Sequence, residues 1–215
     1  MNNLALFLVS AKQISSKPIR ALLLVGLISF SAQIHAAALS EESAAFLASH
    51  LQENPNKQYQ WLTGEVKKQV TLVLDHPYYT LRVPYWQSGR DDNRKTVWIL
   101  EEIGKHKPIT VGIVIQNQQI KSLRILKFRE SRGWEVELPT FTQQFDGIAL
   151  KSPVDLNNID LTTHIDGISG ATLSVRAVTK LSKLALLLQQ HIDTKQGSAK
   201  QLTPAPVKTH SLTNH

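Results

Sequence analysis

The residues best suited to chemistry lie in one segment, Asp166–Ser174, directly before the longest helical pattern of the chain. Its sequence is Asp-Gly-Ile-Ser-Gly-Ala-Thr-Leu-Ser. The first turn of a helix has unpaired backbone N–H groups and a partial positive charge, so it favours a phosphate. Gly167 and Gly170 would let the backbone approach such a group closely. Because Thr172 adds a hydroxyl in the first turn, the segment is a candidate anion site.

The same spacing also has a purely structural interpretation. Ser169, Thr172 or Ser174 could cap the helix by accepting a hydrogen bond from a backbone N–H group, while the glycines shape the turn. Spacing alone favours this capping interpretation, so the anion site needs further support.

Other catalytic and metal-binding patterns are missing from the sequence. The eight histidines include no His-x-His or His-Glu-x-x-His pattern, and no metal site is predicted. There is no Gly-x-Ser-x-Gly, Gly-x-Gly-x-x-Gly or P-loop motif. The chain has no cysteine, which excludes thiol catalysis, Cys-ligated zinc and iron–sulfur clusters. A redox function would therefore need a cofactor that is held without thiols.

Asp166–Ser174 resembles the flavinylation motif of the FMN-binding domain family, Asp-x-x-Ser/Thr-Gly-Ala-Thr. That family includes components of the sodium-pumping NADH:quinone oxidoreductase and of the Rnf electron-transport complex. Its motif threonine is joined to FMN by a phosphoester bond, so the resemblance implies that Thr172 carries FMN. The matching residues are Asp166, Ser169, Gly170, Ala171 and Thr172.

Upstream segments agree with the resemblance, which covers roughly residues 95–192. The family has a β-hairpin, a Glu-Thr-Pro-Gly-like loop and a Phe-x-Gly element. Here the hairpin Ile109–Phe128 precedes Glu130–Trp134 and Phe145–Gly147, with Ser131-Arg132 where the family usually has Thr-Pro. The resemblance places these residues at the cofactor: Asp166, Ser169, Gly170, Ala171, Thr172, Leu173, Ser174, Glu130, Ser131 and Trp134. For stacking on the flavin ring the candidates are Trp134, Tyr85 and Trp86, each of which could instead pack in the core.

The function that the resemblance implies is a periplasmic electron-transfer flavoprotein rather than an enzyme with its own substrate. A separate flavin transferase would attach FMN from FAD with Mg²⁺, and would recognise Asp166 and Gly170. Implied partners are redox proteins, including a membrane reductase. Two alternatives stay open: a cofactor-free binding or scaffold module of the same fold, and a reductase of a small periplasmic substrate.

Residues 1–38 predict a cleaved signal peptide. The apolar run is shorter than the ~20 residues that span a bilayer, so we expect cleavage after one of Ala36 to Ala38, export to the periplasm and no remaining membrane span. The alternative is that the segment is retained as a membrane anchor. Loss of three basic residues lowers the formal net charge from +7 to +4, and no block of five Lys/Arg exists, so nucleic-acid binding is not expected. The signal-peptide pattern consists of three basic residues, a short apolar run and small residues at the cleavage site. These are Lys12, Lys17 and Arg20, then Ala21–Ser31, then Ala36–Ala38.

The order of the predicted strands and helices around Asp166–Ser174 indicates an α+β fold, with a mainly antiparallel, twisted sheet flanked by helices. Alternation and helical periodicity predict helices at Ser40–Glu53 and Leu173–Ile192, strands at Val66–Leu74 and Thr96–Glu101, an extended Tyr78–Trp86, and the hairpin Ile109–Ile115/Ile120–Phe128. Residues 39–94 would form an N-terminal helix and strands, 95–193 the FMN-binding domain, and 194–215 a disordered tail.

Overall fold

The computed structural model describes residues 39–52, 55–90, 93–152 and 158–201. The predicted signal peptide and residues 202–215 of the predicted tail lie outside the described residues. Five strands form one antiparallel sheet in the order β1-β2-β3-β4-β5. They are β1 Asn56–Trp61, β2 Arg82–Ser88, β3 Lys95–Ile103, β4 Pro108–Gln116 and β5 Gln119–Lys127. With helices flanking this sheet, the predicted α+β fold is confirmed.

The β4–β5 hairpin is the part of the sheet that the sequence predicted best. Asn117 and Gln118 join the strands with φ angles of 53° and 57°, as a two-residue hairpin turn requires. Ile113 pairs with Leu123 in the middle of the ladder. The turn sets Gln116 opposite Gln119, and an irregularity between Val114 and Ile115 then shifts the register by one residue. The start of β4 and the end of β5 therefore lie side by side.

Helices pack on both faces of the sheet. The helices α2 (Gly64–Leu74) and α4 (Thr172–Gln201) lie on one face, and α1 (Glu41–His50) lies on the other. Ser40 caps α1 by accepting from the Ser43 N–H, at 3.3 Å. The apolar face of α4 is buried throughout, namely Ala177, Val178, Leu181, Leu184, Ala185, Leu188 and Ile192.

The predicted strand Val66–Leu74 is wrong, because this segment is the helix α2. Its β-branched residues favoured a strand, but Val70, Val73 and Leu74 are spaced i, i+3, i+4 and are all buried. The helix packs beside α4, where the Gln69 Oε1 and the His191 Nε2 are 2.6 Å apart. Tertiary packing of this apolar stripe therefore outweighs the local β propensity.

The strand β1 was not predicted, since its sequence Asn-Lys-Gln-Tyr-Gln-Trp is largely polar. It is an edge strand that pairs with β2, from Asn56 opposite Gln87 to Trp61 opposite Arg82. Its second edge has no strand partner among the described residues, so a polar sequence is tolerated there.

The helix α4 continues to Gln201, nine residues beyond the predicted end at Ile192. The prediction of a disordered tail from Thr194 is therefore wrong for residues 194–201. Arg94 holds this part of the helix by donating to Asp193 and Gln196. Tertiary contacts thus stabilise a polar helical end that composition alone does not predict.

Short helical turns occupy the chain between β5 and the start of α4. A 3-10 helix (Trp134–Glu137), the helix α3 (Pro139–Thr142) and a second 3-10 turn (Gln143–Phe145) follow one another. Phe141 and Phe145 are buried and pack edge to face, with ring centroids 5.5 Å apart. In the described part of the chain, no helix has both the length and the apolar character needed to cross a membrane.

Candidate functional site

Thr172 is the first residue of α4, and its side chain is exposed. Gly170 has a φ of 80°, a left-handed conformation that glycine adopts without strain. The next residue, Ala171, is buried, and its N–H donates to the carbonyl of Ile168 at 3.0 Å. The Gly170 turn and the buried Ala171 therefore hold the Thr172 hydroxyl at the surface, at the start of the helix.

Three backbone N–H groups at this helix start have no acceptor in the part of the chain that the structure describes. The first N–H with an intrahelical partner of the usual spacing is that of Val175, which donates to the carbonyl of Ala171 at 3.0 Å. Within the described residues, nothing accepts from the N–H groups of Thr172, Leu173 and Ser174, and no side chain caps α4. The capping interpretation is therefore not supported. Unpaired donors and the helix dipole together favour an anion.

A cavity of about 410 Å³ opens at the start of α4, beside the β3–β4 loop and the loop that follows β5. Lys105 and Arg132 bring positive charge to it, and no ion pair within the described residues neutralises either side chain. We call it the Thr172 cavity. It is lined by Lys105, His106, Glu130, Ser131, Arg132, Gly170, Ala171, Thr172, Leu173 and Ser174.

Glu130 organises one wall of the Thr172 cavity. One oxygen of its carboxylate accepts from the backbone N–H groups of Lys105, His106 and Lys107, at 2.7, 2.5 and 2.8 Å. The N–H groups of His106 and Lys107, followed by that of Lys105, lower the pKa of Glu130. Glu130 was expected among the cofactor contacts. It lines the cavity, and it also fixes the loop that brings Lys105 and His106 there.

Gly133 joins the opposite wall to the helix. It has a φ of 87° and lies in close contact with Ser174 and Ala171, both of which are buried. These two motif residues therefore pack against the loop after β5. They position Thr172 and Arg132 relative to each other by holding the loop on the first turn of α4.

Of the ten site residues predicted from the sequence, three do not line the Thr172 cavity, namely Asp166, Ser169 and Trp134. Asp166 and Ser169 are exposed in the preceding loop, where the Asp166 N–H donates to Gln144 Oε1 at 2.8 Å. Trp134 opens the 3-10 helix with 54% of its surface exposed. The structure thus brings together seven of the ten predicted residues around this cavity.

Tyr85 and Trp86 are core residues rather than stacking candidates. Each is 5% exposed. The ring of Tyr85 lies 4.9 Å from that of Trp98, and its hydroxyl donates to Gln58 Oε1 at 2.7 Å. Trp86 packs on the other face of the sheet with Phe46. Of the aromatic residues considered, Trp134 alone is open to a ligand.

Three residues of the cavity wall were not predicted from the sequence, namely Lys105, His106 and Arg132. Lys105 and His106 are about 65 residues before Thr172 in the chain, and the sheet register brings them near it. A usable signal existed, since Lys105-His106-Lys107 is a basic turn between two predicted strands. Arg132 stands where the family usually has proline, and its charge was not considered.

Residues 104–187 match the family model described as the FMN-binding domain. The matched range begins in the β3–β4 loop, contains Glu130 and the Asp166–Ser174 segment, and ends within α4. Comparisons with curated proteins and with solved structures found no match.

Proposed function

The chain contains a domain of the FMN-binding domain family, and we propose that it is a periplasmic electron-transfer flavoprotein whose FMN is joined to Thr172 by a phosphoester bond. The observation that carries this proposal is the exposed Thr172 hydroxyl beside the unpaired N–H groups of Leu173 and Ser174. When bound, FMN supplies the redox chemistry, while the chain supplies attachment and electrostatics.

The residues around Thr172 fit a phosphodiester. Its single negative charge would lie at the N-terminus of α4, an arrangement worth about 0.3–1 kcal/mol at an exposed helix end. The N–H groups of Leu173 and Ser174 can donate to phosphate oxygens, and Lys105 and Arg132 add positive charge to the same cavity. The donor set thus suits a phosphate rather than a metal ion or a cationic ligand.

Attachment of FMN would proceed at the Thr172 hydroxyl. The Thr172 Oγ forms a bond to the phosphorus of the FMN half of FAD, the phosphoanhydride bond breaks, AMP leaves, and the hydroxyl proton passes to a base of the flavin transferase. Exposure of Thr172 supports access by a second protein. Asp166 and Ser169 are exposed outside the cavity wall, a placement that favours recognition by the transferase over contact with the bound cofactor.

Electron passage to partner proteins, including a membrane reductase, follows from this assignment. A covalent cofactor stays on the protein whatever the concentration of free flavin, because attachment removes the dependence on ligand binding. Export to the periplasm depends on residues 1–38, whose basic, apolar and small residues support a signal peptide.

Co-expression with a flavin transferase tests the proposal. The intact mass of the wild-type protein should rise by about 438 Da, the mass of FMN less one water. Thr172→Ala should remain unmodified, while Thr163→Ala, which removes an exposed threonine of the preceding loop, should be modified like the wild type. An unmodified wild-type chain, or a modified Thr172→Ala variant, would overturn the covalent assignment.

A further inference from the structure

A second cavity, of about 450 Å³, lies between α2, α4 and the loop that precedes α4. Its volume is within the range of small-molecule sites. Val73, Leu161 and Ile165 form an apolar floor, with at most 8% of each residue exposed. Leu72 also lines the cavity and is 57% exposed. We call it the α2–α4 cavity.

One wall of the α2–α4 cavity is cationic. Arg176, Lys180 and Lys183 are spaced i, i+4 and i+7, so they share a face of α4. Lys183 pairs with Asp160 at 3.1 Å, and Lys180 donates to the carbonyl of Leu74. Arg176 is exposed, and its side chain has no hydrogen bond or ion pair with any residue that the structure describes. Its guanidinium is therefore available to a ligand.

The acidic groups of the cavity do not cancel this charge. Asp160 also pairs with Lys151, at 2.8 Å, from outside the lining, so its carboxylate is shared between two lysines. Asp75 is the second carboxylate of the lining. Three permanent cations thus face two carboxylates, one of which is already doubly paired.

We propose that the α2–α4 cavity binds an organic anion with an apolar body, such as a medium-chain carboxylate. The planar guanidinium of Arg176 suits bidentate contact with a carboxylate, and Val73 and Ile165 offer apolar surface to the chain of the ligand. The cavity shares no lining residue with the Thr172 cavity. Arg176 is nevertheless one helical turn from Thr172, so the ligand's charged end lies beside the candidate flavin site.

An NMR titration of the ¹⁵N-labelled protein tests both halves of this proposal with matched ligands. Octanoate has the required charge and chain, octylammonium has the chain with the opposite charge, and acetate has the charge without the chain. Octanoate should shift the amide signals of residues 72–75, 161–165 and 176–183, and should bind more tightly than either control ligand. Equal binding of octylammonium or of acetate, or octanoate shifts confined to other regions, would overturn the proposal.

Two variants test whether the charge of Arg176 contributes to octanoate binding. Arg176→Gln should weaken octanoate binding roughly threefold to tenfold, as expected for an ion pair at a partly exposed site. Lys195→Gln removes the same charge from α4 outside the cavity and should leave the affinity unchanged. The titration is repeated on protein with and without covalent FMN. Binding in both forms supports a separate site, whereas loss of binding on flavinylation would assign the cavity to the flavin and overturn the proposal.

Discussion

Gly133 lies so close to Ser174 that a Cβ on the glycine would be 2.8 Å from the Ser174 hydroxyl oxygen. The same glycine has a φ of 87°, a conformation that other residues adopt at a cost. The loop after β5 is therefore held on the first turn of α4 by a contact that suits only glycine. This contact sets the spacing between Arg132 on the loop and Thr172 on the helix.

Gly133→Ala should lower the free energy of unfolding by about 1–3 kcal/mol, through left-handed strain and the clash with Ser174. It should also reduce the fraction of protein flavinylated at Thr172, because the loop must move away from the helix. Gly64→Ala is the matched control, since Gly64 lies outside the motif segment and also has a positive φ, 51°, but has no atom within 4 Å of its Cβ position. Urea unfolding and intact mass measure both effects. A Gly133→Ala variant as stable and as fully modified as the control would refute the positioning role.

Glu130→Gln should lower the melting temperature in a pH-dependent way. The folded-state pKa of Glu130 lies below its ordinary value of 4.5, so the carboxylate stabilises the fold above about pH 4.5, and this stabilisation is lost as the pH falls through the lowered pKa. The difference in melting temperature between wild type and Glu130→Gln should be present at pH 7 and shrink towards pH 3. Thermal unfolding across this range measures it.

The exposed Glu137, which has no hydrogen bond or ion pair with a described residue, gives the matched control. Glu137→Gln should show a small difference from wild type at both ends of the pH range. If the Glu130→Gln difference were the same at pH 3 and pH 7, the carboxylate would not be what holds the Lys105–Lys107 loop.

Arg94→Ala should destabilise the protein more than Asp193→Asn. Burial raises the pKa of Asp193 although Arg94 lies beside it. Arg94→Ala is costly because it leaves this half-buried carboxylate without its cation and with Gln189 as its remaining hydrogen-bond donor among the described residues, whereas the asparagine of Asp193→Asn still accepts from Arg94. We expect a loss of about 1–2 kcal/mol for Arg94→Ala and faster hydrogen exchange in residues 194–201. Urea unfolding with hydrogen-exchange mass spectrometry measures both, and a larger effect of Asp193→Asn would contradict this ranking.

The sequence predicted those elements whose local pattern and tertiary environment agree. Ile109–Ile115 alternates and ends in a polar turn, so the hairpin was found. In Val66–Leu74 the β-branched residues favour a strand, whereas the spacing of the apolar residues also fits a helix. The packing of this segment against α4 stabilises the helix. The strand β1 is polar, and it forms by pairing with β2, which is distant from it in sequence. Arg94 stabilises the end of α4 from about a hundred residues away, so a local sequence pattern around α4 does not indicate this contact.

The candidate site likewise contains residues that the sequence predicted and residues that it did not. Thr172 and its turn are contiguous in sequence, so the motif identified them. Lys105 and Arg132 reach the cavity only through the sheet register and the Gly133 contact, and no short motif includes both. The sequence placed Glu130 at the site, but its hydrogen bonds to the Lys105–Lys107 loop could not be predicted, because these backbone partners come together only in the folded loop.

Fragmentation of a single peptide tests the central claim most directly. No Lys or Arg lies between Lys151 and Arg176, so trypsin releases Ser152–Arg176 as one peptide from protein matured with a flavin transferase. Its other hydroxyl residues are Ser152, Thr162, Thr163, Ser169 and Ser174. Tandem mass spectrometry should locate an addition of about 438 Da, FMN less water, on Thr172. An unmodified peptide, or the same addition on any of the other hydroxyl residues, would contradict the assignment.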